Sequence, residues 1–334
     1  MRLKFVLISF ALLFILLLSL YAGVVTVAVG DIARIVAYRA LGLGSIDRLR
    51  PMDISIIWEI RLPRILMAFI VGAALSVSGA ILQSLLSNPL ASAFTLGVSS
   101  GASLGASIFI MLGLSGALLL PVMGFGFAMG ALFLTMAFAR LSSYKMDNAT
   151  VILGGMVLSV FLNAILTLII SLNRESLNRL IFWQLGSFAG QGYNELLILA
   201  PIALVGIGLA LCFHRELDIM TFGEDTAITL GLKSRGVKAA LLTISGVLAG
   251  ASISFVGIVA FIDLIAPHMV RRLVGERHIL VIPLSALLGG GFMVLADTAA
   301  RSISPPIEIP IGVITALLGG PFFAYIYLRR KKDA

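Results

Sequence analysis

The string Gly97-Val98-Ser99-Ser100-Gly101 matches G-x-S-x-G, the pattern that presents a nucleophilic serine on a sharp turn. Such a serine needs a base within hydrogen-bond reach. The three histidines, His214, His268 and His278, all fall at helix ends that the topology below assigns to the cytoplasm. The serine also lies in TLGVSSGASLGAS, a run of small residues whose plainer use is close helix packing. An intramembrane serine protease is therefore a minor reading. No H-E-x-x-H occurs, and no G-x-x-x-x-G-K-[ST], so neither a zinc-protease site nor a Walker loop is encoded. If ATP drives this protein, another chain hydrolyses it. Cys212 is the single cysteine, which excludes an internal disulfide and a thiolate metal cluster. No cofactor or metal is expected, and no enzymatic activity. Two acids, Asp263 and Asp297, fall within or near apolar runs, where ionisable groups are functional candidates. Asp297 stands four residues before Arg301, so the two can meet on one helix face and partly neutralise. Asp263 has no partner nearby in sequence. A proton-driven secondary carrier, the competing class of transporter, would need more such groups.

The elements that position these residues follow from composition. Of 334 residues, 60% are hydrophobic and 12% charged, against about 45–50% and about 25% in soluble domains. A spanning helix uses about 20 apolar residues, so roughly 200 fill about ten spans. Soluble enzymes and nucleic-acid-binding domains are excluded, and no nucleic acid partner is expected despite the net charge of +8. The 34 glycines suit close helix approach. The chain reads as an all-α polytopic membrane protein, one transmembrane domain over 1–334 in contact with the lipid bilayer. The first apolar run, 5–29, exceeds a signal-peptide core of about 7–15 residues and reads as a retained helix. A polar stretch follows over 31–61. Further spans are expected near 65–87, 95–117, 119–139, 150–171, 193–213, 239–256, 257–273, 280–300 and 307–328. The division at 256/257 could instead be one bent helix.

Ten spans put both termini on one side. With the N-terminus inside, 15 Lys and Arg fall on the cytoplasmic side and 9 outside, which agrees with the positive-inside rule. The protein is thus expected in the cell membrane with both termini cytoplasmic. All nine outer charges are Arg, and six of them, Arg34, Arg39, Arg48, Arg50, Arg61 and Arg64, lie within 34–64. Arginine's planar fork suits carboxylates, so this surface is fitted to something acidic. The longest inner loop, 214–238, reads HRELDIMTFGEDTAITLGLKSRGVK. Its helical spacing, broken at Gly223 and Gly231, predicts two short surface helices. Glu224 and Asp225 favour a helix N-terminus after Gly223. The loop suits a cytoplasmic partner.

At this point the chain resembles the FecCD family of type II ABC importer permeases. The likeness runs over about 59–327 in IRLPR (60–64), VGAALSVSGAILQ (71–83), NPLA (88–91) and LGVSSGA (96–102). It continues in FWQLGSF (182–188), GEDTAITLGL (223–232), APHMVR (266–271), LADTAAR (295–301) and IPIGVITALLGGPFF (309–323). The resemblance implies a type II ABC importer permease fold of about ten helices, paired with a second copy of itself as a homodimer around the transport path. It implies two cytoplasmic ABC ATPase subunits and an extracytoplasmic substrate-binding protein as partners. Iron(III)-siderophore is the first cargo it implies, with cobalamin or haem as alternatives. By the same resemblance Arg61, Arg64 and Arg301 meet carboxylates of the binding protein. Gly223, Glu224, Asp225, Ala227, Leu230 and Gly231 form the part that couples to the ATPase. Asn88 and Leu90, with Asn148 and Ala149, match the inner gate, and a short helix over about 173–186 matches the outer gate. Pro63 and Pro89 also serve simply as helix-end residues, and the glycines serve packing. Two departures stand out: Asp263 occupies a position where the family usually has glycine, and 31–58 matches poorly.

Overall fold

A computed structural model describes residues 2–142, 146–172 and 177–330. Lys145, Arg174, Lys331 and Lys332 of the charge tally, and 173–176 of the expected outer-gate helix, lie outside the described residues. The described chain is helical: α1 Arg2–Tyr21, α2 Val29–Leu41, α3 Pro51–Leu85, α4 Val98–Met111, α5 Leu119–Ser142 and α6 Asn148–Leu172. After these come α7 Leu177–Leu185, α8 Tyr193–Cys212, α9 His214–Met220, α10 Glu224–Thr229, α11 Ser234–Val256, α12 Ile262–Val274, α13 His278–Ser302 and α14 Ile311–Arg330. A short 3-10 turn, Ala93–Leu96, precedes α4. Six helices (α3, α5, α6, α8, α11 and α13) are long and apolar enough to cross a bilayer, and α1, α4 and α14 carry shorter apolar segments. With α12, each of the ten expected spans has its helix.

The polar stretch 31–61 is more structured than its composition suggests. It contains α2, which buries Ile32 and Ile35, and the first turns of α3. Those turns include a π-helical segment, Ile56–Arg61, just before Pro63. Proline lacks an N–H and its ring clashes with the carbonyl four residues back. A widened turn relieves that clash and lets one helix run through.

α3 is the central post: 83% of its best spanning window is buried, against 22% for α6 at the periphery. Between lipid-immersed helices the hydrophobic effect gives little attraction, so small residues that admit close backbone contact do the work. At the crossing of α3 and α13, a Cβ on Gly72 would stand 2.3 Å from the carbonyl oxygen of Gly289. Farther along α3, a Cβ on Gly79 would stand 1.7 Å from the carbonyl oxygen of Asp263. Ser78 joins α3 to α11 through a 2.8 Å contact with Ser245 Oγ.

The division at 256/257 is a true break. Gly257 has φ 79° and Phe261 φ 71°, so five residues separate α11 from the 13-residue α12. The residues after α7 are tied on two sides: Ser187 N–H donates to Val256 O (2.8 Å) at this break, and Ile311 N–H, at the start of α14, donates to Gly186 O (3.0 Å). A non-helical backbone at this depth is tolerated because protein surrounds it.

Candidate coupling and gating sites

Arg61, Arg64 and Arg301 come together at one end of the bundle, from α3 and α13, as their shared face predicts. Their surroundings differ from the expectation of exposed docking charges, because all three are buried. Arg64 makes a two-pronged contact with Asp297 (Nη2–Oδ1 2.8 Å, Nε–Oδ1 3.0 Å) and another with Glu308 (2.8 and 2.9 Å). Arg301 approaches Asp297 less closely, at 3.6 Å. Its guanidinium also donates to Ala22 O (2.6 Å), Ser19 O and Ser19 Oγ (2.9 Å). Arg61 donates to Leu20 O (2.8 Å), Tyr21 O (3.2 Å) and Val25 O. The last carbonyls of a helix lack intrahelical partners and carry partial negative charge. Two guanidiniums from other helices therefore close the C-terminal end of α1. Gly23 permits this approach, since a Cβ there would lie 2.4 Å from Arg61 Nη2. Glu308 sits in the loop before α14, and the Arg64 hydrogen bond holds its carboxyl below the usual range. Of the described arginines expected outside, Arg34, Arg39, Arg48 and Arg50, on α2 and the segment after it, and Arg179 on α7 are exposed, and Arg50 is clasped to Asp53 at 2.9 Å.

The opposite end carries the 214–238 loop. Its two short helices are α9 and α10, separated at Gly223 (φ 98°) and ended before Gly231 (φ 82°), the two predicted breaks. Ala227 is buried, anchoring α10. Glu224 does not face outward: Lys238, fully buried, reaches it at 2.9 Å. The exposed face of the loop is mixed: Phe222, Ile228 and Leu230 stand among Arg215, Asp225, Thr226, Thr229, Lys233 and Arg235. Sequence reasoning missed Phe222 and Ile228. Large apolar residues in a loop otherwise rich in charge are the signal that could have marked them.

At this same end lie the turn that joins α3 to α4 and, after Met146 and Asp147, the start of α6. Asn88 Oδ1 accepts from Leu90 N–H (2.9 Å), and Asn88 N–H donates to Gln83 O (3.1 Å), which fixes the turn and leaves Leu90 exposed. At the start of α6, Asp147 Oδ2 accepts from Ala149 N–H (3.2 Å), an N-cap for that helix. Asn148 Oδ1 is buried with no hydrogen-bond partner, and Ala149 is exposed. Asp263 lies at the N-terminal end of α12, 2% exposed, its carboxylate without a well-formed hydrogen bond. Ser99 is buried and its hydroxyl has no partner, so no base stands within reach for the hydrolase reading. Among the described residues no three His, Cys, Asp or Glu side chains are grouped to hold a metal.

A bundle of apolar helices around a buried post, with a two-helix loop exposed at one end, is the architecture of a multi-pass membrane protein. The sequence model of the FecCD transport family matches residues 11–329, and the chain belongs to that family. It is 40% identical over 321 residues to the uncharacterised ABC transporter permease protein YvrB of Bacillus subtilis (strain 168), covering 95% of this chain and 91% of that one. The cobalamin import permease BtuC of Halobacterium salinarum is 36% identical, with 84% and 75% covered. The iron(3+)-citrate import permease YfmD of Bacillus subtilis (strain 168) is 38% identical, with 83% and 81% covered. Among solved structures, an inward-facing metal-chelate type ABC transporter superposes with a TM-score of 0.85 at 30% identity, covering 98% of this chain and all of that one. The protein is thus an ABC permease subunit rather than an enzyme, and an ATPase and a binding protein are the partners its family implies. The ion-coupled alternative finds no support.

Proposed function

We propose that this permease imports a metal chelate delivered by a binding protein, an iron(III)-siderophore first and cobalamin or haem next. The observation that carries this reading is the single end of the bundle where the 214–238 loop, with Phe222, Ile228 and Leu230 exposed, lies beside Leu90 and the start of α6. The relatives named for iron-citrate and cobalamin import support the cargo class. In this reading that end is cytoplasmic, with both termini. Phe222, Asp225, Ile228 and Leu230 contact the ATPase, while Gly223, Ala227 and Gly231 shape the loop. Asn88, Leu90, Asn148 and Ala149 form the inner gate of a homodimer, and α7 contributes the outer gate. Docking of the binding protein falls on Arg34, Arg39 and Arg48. Arg61, Arg64 and Arg301, expected to dock directly, support that face from beneath.

Vesicles holding the permease, its ATPase and its binding protein are expected to take up ferric siderophore while ATP lasts, with an uncoupler present. Uptake that collapses with the uncoupler at constant ATP would overturn the reading. Uptake of cobalamin or haem with no iron chelate transported would move the cargo to the alternatives.

The homodimer makes a separate prediction. Leu90→Cys in a Cys212→Ser background is expected to cross-link between subunits, with a yield that changes on adding an ATP analogue. If no nucleotide state gives a cross-link, the turn does not line the axis.

A further inference from the structure

Two buried polar bridges leave the 214–238 loop, and each ends at a different gate turn. The first starts at Asp218 on α9. Its Oδ1 accepts from His278 N–H (2.8 Å) and lies 2.6 Å from His278 Nδ1. Facing a carboxylate, Nδ1 carries the proton, so Nε2 accepts from Ser84 O–H across 2.6 Å. Arg271 of α12 steadies the joint, its Nη2 donating to Ser84 Oγ (2.9 Å) while its Nη1 donates to Gln83 Oε1. The carbonyls of Gln83 and Ser84 accept from Asn88 N–H (3.1 Å) and Ser87 N–H (3.3 Å), which open the turn bearing Leu90. His278 is fully buried and Ser84 nearly so, whereas Asp218 remains part-exposed on the loop.

The second bridge starts at Glu224, the first residue of α10. Its Oε2 takes the Lys238 ammonium at 2.9 Å, and its Oε1 lies 3.4 Å from Ser234 Oγ. The same ammonium donates to Met146 O at 2.5 Å, two residues before Asn148. Lys238 is fully buried, and Met146 is held at φ 52°. A buried ammonium must stay paired, so its two partners cannot part without a large desolvation cost.

We propose that His278 and Lys238 are positioning residues of the transport cycle. His278 ties α9 to the turn holding Asn88 and Leu90, and Lys238 ties α10 to the turn holding Asn148 and Ala149. Displacement of the loop by the ATPase then reaches both turns through separate arms. This rests on the functional reading above.

Spin labels at position 90 or 149 of the reconstituted permease, with its ATPase and binding protein, report each turn through the distance between dimer-related labels. In the otherwise native protein both distances are expected to change with nucleotide. Lys238→Met is expected to abolish the change at 149 and keep the change at 90, while His278→Leu does the reverse. In each variant transport per ATP hydrolysed is expected to fall tenfold or more with the ATPase still bound. General loosening would disturb both turns together, so selectivity is the decisive readout. Should either variant fail to fold, Glu224→Gln and Asp218→Asn test the same arms from the loop side without opening the core, with the same selectivity in smaller measure. Lys238→Arg, which keeps a cation able to donate to both the Glu224 carboxylate and the Met146 carbonyl, is expected to retain the motion at 149. Changes retained at both turns, or lost at both in every variant, would overturn the two-arm assignment. If the native protein showed no nucleotide-dependent change at either turn, the functional reading would fall, and the inference with it.

Discussion

Replacing Arg64 with alanine is expected to lower stability by about 3–5 kcal/mol, the usual result of breaking a buried ion pair from one side. Arg64 offers two-pronged contacts to Asp297 and to Glu308, and it joins α3, α13 and the loop before α14 at one point. Without it Asp297, 1% exposed, keeps only the 3.6 Å approach of Arg301. Glu308 is less affected because its side chain is 40% exposed and can turn to water. Arg64→Leu combined with Asp297→Leu removes both charges together and should recover most of the loss, since apolar replacement of a whole buried pair is often neutral. Thermal unfolding of the purified protein in lipid nanodiscs measures both. Stability of the alanine variant within about 1 kcal/mol of the original would show the brace to be dispensable and Arg64 free to serve an outside partner.

Gly79→Leu is expected to abolish the folded protein. The first added atom would lie 1.7 Å from the carbonyl oxygen of Asp263, which is backbone and cannot rotate away. α3 and α12 would have to separate. Overpacking typically costs about 1–3 kcal/mol, and a clash against fixed backbone belongs at or above the top of that range. Gly130→Ala on α5 is the matched control, because nothing lies within 4 Å of its added Cβ. Alanine is the better helix former by roughly 0.5–1 kcal/mol, so this variant should be unchanged or slightly more stable. Size-exclusion profiles of the two after extraction should differ sharply. A monodisperse Gly79→Leu peak would mean that α12 is not held against α3 as described.

The ten spans were legible because apolar runs of spanning length announce themselves, while the division at 256/257 was open to a single bent helix until Gly257 and Phe261 showed a break. The 214–238 loop was legible in outline because Gly223 and Gly231 bracket a short helical pattern. What the sequence hid was which way a charge points. Glu224 reads as a surface charge because nothing near it shows that Lys238 comes back one helix later to meet it. Arg61, Arg64 and Arg301 read as outward-facing because their partners are remote or lack side-chain identity: Glu308 lies 244 residues beyond Arg64, and several of the acceptors are carbonyls at the end of α1. Any residue can supply a carbonyl, so no pattern of residue types foretells that contact. The helical content of 31–61 was hidden for a different reason: α2 is short and buries only one face, so its composition resembles that of a loop.

The two guanidiniums on the end of α1 also set an order for synthesis. α1 leaves the ribosome long before α13, whose Arg301 donates to the carbonyl of Ala22 from 279 residues further on. Until α13 is made, those terminal carbonyls have only Arg61 and water or lipid headgroups to satisfy them. A nascent chain arrested anywhere between α3 and α13 therefore carries a half-closed first helix, which tilts and slides more easily than in the finished protein. α1 is made early and locked late.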